Sequence, residues 1–206
     1  MLACSLGLGC APFSAAPPVG DAGSEAGAAS DPPRGADASS DVPAGPGQAA
    51  RRLVWVYGGV IDADEVSEGG GADAKCTAEL RTVAPGRDAV AWVTVDGVGP
   101  LSRLGAAEGR WIRPDNSVVF PSRGDITGGR LMNPIDRLID GAVAAGKVWT
   151  GVHADGLPGA DCANWSTQNG TLDGLVGLIG ATDQTWSEQG PTGCDASKLR
   201  ILCFEK

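Results

Sequence analysis

The sequence predicts a loop-rich α+β domain with few helices, stabilised by disulfide bonds in an oxidising compartment. Its 206 residues include 32 glycines, 6 tryptophans and a single histidine, and this composition suits a secreted domain better than a cytosolic enzyme. Trp149, Trp165 and Trp186 stand among glycines and short polar residues, where large side chains can anchor the core of such a fold. The cysteines of the same stretch lack a Cys-x-x-Cys pair or an adjacent histidine, which favours disulfide bonds over a zinc site.

Several segments have the apolar, β-branched composition of strands. Residues 53–57 predict a first strand, and residues 89–95 predict a second. Residues 100–113 are predicted to contain helix and loop. Residues 199–205 form an apolar run with Cys203 in its middle, which predicts a buried terminal strand tied to a distant part of the chain.

Two helices are predicted. Residues 69–80 begin with small residues and place Ala72, Cys76 and Leu80 four positions apart, so that all three lie on one helical face and Cys76 points inward. An asparagine followed by proline opens residues 133–139. Since proline is favoured at the first helical position, this pattern predicts a short helix.

The N-terminus resembles the end of a bacterial lipoprotein signal peptide. Residues 1–10 are apolar and small and end in Leu8-Gly9-Cys10, in which Cys10 would carry the lipid and Cys4 is the second choice. We therefore expect residues 1–10 to be a partial signal segment. The protein would be lipid-anchored at the outer membrane of a bacterial cell envelope or secreted, with the periplasm as the alternative.

Residues 11–52 predict a disordered linker. They consist almost wholly of alanine, proline, glycine, serine and aspartate, with Phe13 as the only aromatic residue. Such a composition cannot bury enough apolar area to offset the entropy of ordering. Residues 53–206 then form one domain of ordinary size.

The charge balance restricts the partners. The chain has 16 lysines and arginines against 25 aspartates and glutamates, a net charge of -9. A phosphate backbone or an anionic membrane surface would therefore repel it. We expect a monomer with no nucleic-acid partner, in contact with a membrane only through its lipid anchor.

Short motifs from residue 71 to residue 205 occur in an order that resembles a known family. They are Gly71-Ala72-Asp73, Cys76, Trp92, Lys147-Val148-Trp149-Thr150-Gly151, Cys162-Ala163-Asn164-Trp165, Gly177-Leu178-Ile179-Gly180, Cys194 and Ile201-Leu202-Cys203-Phe204-Glu205. The order resembles the endostatin domains of collagens XV and XVIII. It is still more similar to a bacterial secreted family of unknown function with the same C-type-lectin-like fold. The resemblance covers residues 53–206.

This resemblance implies a fold and a disulfide pairing. The fold is a mixed, mainly antiparallel sheet with one or two short helices. Four cysteines allow three pairings, and the resemblance implies the nested one, Cys76 with Cys203 and Cys162 with Cys194. The glycine-rich loop expected over residues 170–190 would then be held at its base.

The sequence favours a non-enzymatic binding or structural module over an enzyme. Its ligand is unknown and could be a carbohydrate or a protein. We expect no catalytic residue, cofactor or resident metal. The candidate ligand-binding residues lie in the last third of the chain and are Asp155, Asp161, Trp165, Trp186 and Glu188.

Two alternative functions belong to other classes. A secreted hydrolase would use the glycine-rich loop as its cleft and His153 as base, with Ser166 or Ser187 as nucleophile and Asp155 as the orienting acid. A calcium-dependent lectin would need oxygen ligands in the stretches 157–159 and 186–188, and most of these are missing. Another cation site could use Asp183 together with Asp155, Asp161 and Glu188.

Other known properties of the proteins that this chain resembles are not supported by matching residues in this chain. Endostatin's zinc is held by N-terminal histidines, which residues 49–52 lack. Its heparin surface needs an arginine excess, which this acidic chain lacks. The tripeptide Arg123-Gly124-Asp125 matches an integrin-binding motif, but such a match is expected by chance in a chain rich in glycine and aspartate.

Overall fold

The computed structural model describes residues 50–67, 71–196 and 198–206. These belong to the compact unit Pro43–Lys206. The predicted signal segment, the lipidated Cys10 and the linker up to residue 49 lie outside the described residues. The first strand begins at Arg51, so the last two residues of the predicted linker belong to the sheet.

The domain is a mixed α+β fold with mostly antiparallel sheets and short helices. The helices are α1 Gly71–Leu80, α2 Pro100–Arg103 and α3 Arg123–Ile126, with single 3-10 turns at Asp64–Val66 and Gln184–Trp186. The strands are β1 Arg51–Val56, β2 Ala89–Ala91, β3 Arg110–Ile112, β4 Val118–Phe120, β5 Lys147–Trp149, β6 Asp173–Leu178, β7 Gly190–Gly193 and β8 Leu202–Glu205.

The larger sheet has five strands in the order β2-β8-β1-β3-β4. Strand β8 runs antiparallel to both neighbours, with Phe204 opposite Val54 on β1 and opposite Val90 on β2. Strands β1 and β3 are parallel. All four residues of β8 are buried, as expected for a strand with neighbours on both sides. The predicted buried terminal strand is thus confirmed.

The smaller sheet is antiparallel, in the order β5-β6-β7. Strand β6 lies inside the span 170–190, so the expected glycine-rich loop is wrong. Two of the glycines permit close packing instead of a turn. A Cβ on Gly174 would lie 2.9 Å from the sulfur of Cys162, and a Cβ on Gly177 would lie 2.0 Å from the carbonyl oxygen of Trp186.

Two apolar clusters form the core. The first contains a group of aromatic side chains with ring centroids 4.9 to 6.3 Å apart: Trp92, Phe120, Trp186 and Phe204. The second contains Trp55, Trp149 and Trp165 together with both disulfides. All six tryptophans are buried, and burial of this much aromatic surface stabilises a fold that has little helix.

The disulfides have the nested pairing. Cys76 bonds Cys203 and Cys162 bonds Cys194, with Cα atoms 5.5 Å and 5.6 Å apart. The closed loops span 127 and 32 residues. On the chain-entropy model such loops stabilise the fold by about 5 and about 4 kcal/mol. The first disulfide joins helix α1 to strand β8, and Ala72, Cys76 and Leu80 of α1 are buried as predicted.

Two predicted elements differ in the structure. Strand β2 ends at Ala91. Trp92 N still bonds Leu202 O of β8, but Thr94 N donates to Thr150 O, next to the end of β5, at 3.1 Å. The predicted helix over 133–139 is wrong. The side chain of Asn133 donates to Val118 O on the edge of β4 at 2.8 Å, so it binds the sheet instead of capping a helix.

Within the residues that the structure describes, none of the helices is both long and apolar enough to cross a membrane.

Candidate functional site

A polar cleft of about 320 Å³ lies between two loops of the domain. This volume is at the lower end of the range for small-molecule sites. Its lining residues come from the segment after α3 and from the 3-10 turn after β6, and they are Gly128, Gly129, Arg130, Asp183, Gln184 and Thr185.

The first wall follows directly from the end of α3. Gly128 N donates to Asp125 O at 3.1 Å, and Gly129 has a φ of +68°. This left-handed conformation favours glycine. The side chain of Gln184 lies close by, 3.5 Å from the position of a Cβ on Gly129. The exposed side chain of Arg130 follows.

The second wall is the 3-10 turn Gln184–Trp186. The Asp183 carboxylate caps this turn by accepting from the backbone N–H and the hydroxyl of Thr185. These hydrogen bonds lower the pKa of Asp183, and the charge of Arg130 contributes to the same shift. Asp183 is therefore ionised at neutral pH. The two walls are joined where Leu131 N donates to Thr182 O at 2.9 Å.

A histidine and glutamate pair lies beside the second wall. His153 Nδ1 is 2.8 Å from Glu188 Oε1, and Glu188 Oε2 accepts from Ala154 N at 3.0 Å. The hydrogen bond from His153 lowers the pKa of Glu188. Glu188 N donates to Gln184 O at 3.0 Å. Glu188 therefore ties the loop around residue 154 to the turn that lines the cleft.

The five predicted ligand-binding residues do not form one site. Trp165 and Trp186 are 0% and 1% exposed, so neither indole offers a surface to a ligand, and both serve the core. Asp161 accepts from Asn164 N at 2.9 Å and Asp155 accepts from Leu157 N at 3.0 Å. Glu188 contacts the lining residue Gln184 through the backbone bond described above.

The described residues contain no group of three or more histidines, cysteines, aspartates or glutamates arranged to hold a metal ion. The candidate acids Asp155, Asp161 and Asp183 instead accept hydrogen bonds from backbone N–H groups two or three residues ahead of them. Such local bonds are typical of turns and caps. Their carboxylates therefore stabilise loops.

The serine and histidine arrangement considered for a hydrolase is not assembled in the described part of the chain. The Ser187 hydroxyl is buried and accepts from the indole N–H of Trp92 at 2.8 Å. The Ser166 hydroxyl donates to Ala163 O at 2.7 Å. The His153 ring binds Glu188. A nucleophile needs its base within hydrogen-bond reach, and neither serine makes this contact.

The tripeptide 123–125 lies within helix α3. The guanidinium of Arg123 donates to Leu101 O at 2.8 Å, and the Asp125 carboxylate accepts from the Ser122 hydroxyl at 2.7 Å. Both charged side chains are thus engaged locally.

Sequence reasoning missed Arg130 and Gln184, which define the cleft. A pair of glycines such as Gly128-Gly129 is typical of a turn, but a turn alone does not indicate a site. The two walls lie far apart in the sequence and meet in the fold, where Leu131 N bonds Thr182 O and Gln184 packs near Gly129.

The fold and the cleft define a disulfide-stabilised α+β domain with a polar surface site. Models of known protein families do not match the chain, and a search of curated proteins found no similar sequence.

Proposed function

We propose that the protein is a non-enzymatic binding module of a bacterial cell envelope and that its ligand binds in the cleft of residues 128–130 and 183–185. The observation that carries this proposal is the cleft itself, lined by a guanidinium, a carboxylate, an amide and a hydroxyl. Such a lining suits a hydroxyl-rich ligand because it offers several donors and acceptors. A carbohydrate fits this chemistry better than an apolar molecule.

The geometry of the polar side chains favours binding over hydrolysis. The buried Ser187 hydroxyl bonds Trp92, and Glu188 occupies one ring nitrogen of His153. Both side chains are thus engaged in contacts within the protein.

The fold is proposed to be C-type-lectin-like and related to endostatin. Support comes from the nested disulfides and from the position of β8 inside the larger sheet, between β2 and β1. An experimental structure whose strands could not be superimposed on an endostatin domain in the same order would refute this assignment.

Envelope anchoring is proposed through a lipid on Cys10. Two disulfides support an oxidising location, because such bonds persist mainly outside the cytosol. Expressed in a Gram-negative host from a gene that supplies a complete signal peptide, the protein is expected in the membrane fraction, and Cys10→Ser should move it to the soluble envelope fraction. Cys4→Ser is the matched control and should leave it membrane-bound. Equal distribution of all three proteins would reject the anchor.

Ligand binding can be tested with the full chain on a glycan array. Gln184→Ala removes the amide from the cleft, and loss of one good hydrogen bond should weaken binding about tenfold. Gln189→Ala removes the same group from an exposed position outside the lining and should bind like the wild type. No binding to any glycan, or equal binding by both variants, would overturn the proposal.

A further inference from the structure

Arg130 stands out among the arginines because its guanidinium has no partner among the described residues. Eleven arginines lie in the described part of the chain. Nine of them make a side-chain hydrogen bond or an ion pair, and these are Arg51, Arg52, Arg81, Arg87, Arg103, Arg113, Arg123, Arg137 and Arg200. Arg110 and Arg130 do not, and only Arg130 lines the cleft.

The single carboxylate of the cleft does not neutralise Arg130 by direct contact. The Asp183 carboxylate accepts its hydrogen bonds from Thr185, and the two charged groups of the cleft make no ion pair. Arg130 therefore keeps its fork of N–H donors for a group that arrives from solvent. A planar guanidinium binds a carboxylate through two parallel hydrogen bonds.

We propose that the cleft recognises a short glycan that carries a carboxylate, such as a uronic or sialic acid residue, and that Arg130 binds this carboxylate. This inference rests on the proposed function and narrows its ligand class. The amide of Gln184 and the exposed Gly128 line the same cleft, so we expect the ring hydroxyls beside the carboxylate to bond there.

Charge distinguishes this ligand from a polyanion. The chain carries a net charge of -9, so the protein as a whole would repel a long sulfated or phosphorylated polymer. Asp183 adds a negative charge within the lining itself. One exposed guanidinium in these surroundings suits a ligand with a single anionic group.

The test compares carboxylated glycans with neutral counterparts that differ only in the acid, and includes sulfated glycans as a third arm. We expect the wild type to bind the carboxylated members at least about tenfold more tightly, which is the usual effect of a hydrogen bond to a charged group. Arg130→Gln should lower their binding to the level of the neutral members. Arg130→Lys should be intermediate, because lysine lacks the fork.

Arg110→Gln is the matched control, since it removes the other arginine without a described partner. It should bind like the wild type. Circular dichroism and the melting temperature establish that each variant is folded, which is expected of a change at exposed Arg130.

The outcomes separate this inference from the proposed function. Equal binding of neutral and carboxylated glycans, preference for the sulfated arm, or unchanged binding by Arg130→Gln would overturn the role of Arg130 while leaving a glycan-binding cleft in place. No binding to any glycan by the wild type would overturn both.

Discussion

Four consecutive residues that are not glycine adopt left-handed backbone angles. The φ values over Cys162–Trp165 are 54°, 55°, 59° and 57°, each in a conformation that costs roughly 1 to 2 kcal/mol. Tertiary contacts hold this turn. They are the disulfide of Cys162, the bond from the Trp165 indole to Thr94 O at 2.5 Å, and a reciprocal pair of bonds between Asn164 and Asp96.

Relief of this strain at one residue should stabilise the domain. Ala163 is exposed, so Ala163→Gly should raise the free energy of unfolding by about 1 kcal/mol, because glycine adopts positive φ without penalty. Chemical denaturation measures the change.

The control is the same substitution in an ordinary helix. Ala78 is exposed within α1, and Ala78→Gly should lower the free energy of unfolding by about 1 kcal/mol. Changes of the same sign in both variants would contradict the assigned backbone angles.

Asp115 stabilises the domain through its ionised form. Burial raises its pKa, but hydrogen bonds from Ser117 and Arg113 and the charge of Arg113 outweigh this and lower the pKa to about 2 from the usual 3.8. The stabilisation is present above the unfolded value and is lost as the pH falls through about 2. Asp115→Asn should therefore cost about 1 kcal/mol at neutral pH, a figure reduced for water screening of a carboxylate 35% exposed. In urea titrations the cost should shrink on acidification and vanish only below about pH 2.

Glu205 should show the opposite dependence on pH. Its side chain is fully buried, and burial raises its pKa despite the hydrogen bond from Leu53 N and the charges of Arg87 and Arg52. A raised pKa in the folded state means that stability is lost as the pH rises through it. The effect of Glu205→Gln on the free energy of unfolding, relative to the wild type, should thus be more favourable at neutral pH than at about pH 4. If Glu205→Gln instead became more favourable as the pH falls, the folded protein would favour the ionised form of Glu205.

At the scale of elements, the packing of strand β6 requires a residue without a side chain at position 177. A Cβ on Gly177 would meet the backbone oxygen of Trp186 at 2.0 Å, and backbone cannot move aside as a flexible side chain can. Gly177→Ala should lower the free energy of unfolding by about 3 kcal/mol. Gly124→Ala is the control, because its Cβ would have Ser122 Oγ as its nearest neighbour at 3.7 Å, and it should be neutral or slightly stabilising. An equally mild effect of both changes, read from melting curves, would argue against this packing.

Helix α1 was predictable because its signal is local. The four-residue spacing of Ala72, Cys76 and Leu80 describes a buried face, and periodicity of this kind needs no knowledge of the partner. The same helix covers the edge of β2, where Ala91 N donates to Asp73 Oδ1 at 2.8 Å. The helix predicted to begin at Asn133 does not form. The Asn133 side-chain amide bonds Val118 O on β4 instead, and a local sequence pattern cannot reveal this contact.

At the scale of the whole molecule, the longer disulfide should dominate stability. The 127-residue loop closed by Cys76–Cys203 is worth about 5 kcal/mol on the chain-entropy model, which rivals the total for many domains. Replacing both cysteines with serine should lower the melting temperature more than replacing Cys162 and Cys194, whose loop spans 32 residues. The reverse order in calorimetry would indicate that local packing matters more than loop length.

The cleft was less predictable than the scaffold. The tryptophans indicated the core, and all six are buried there. The same tryptophans suggested ligand contacts for Trp165 and Trp186, because the sequence does not distinguish an indole that anchors a core from one that faces a ligand. Arg130 lines the cleft because its loop contacts the turn at Gln184, and the sequence does not show that these two segments meet.

The position of β8 has a consequence for biosynthesis. This strand comes last along the chain but lies between β1 and β2. A polypeptide emerging from the ribosome therefore cannot complete the larger sheet until β8 has been made. Until then, strands β1 and β2 both lack the neighbour that lies between them in the folded protein.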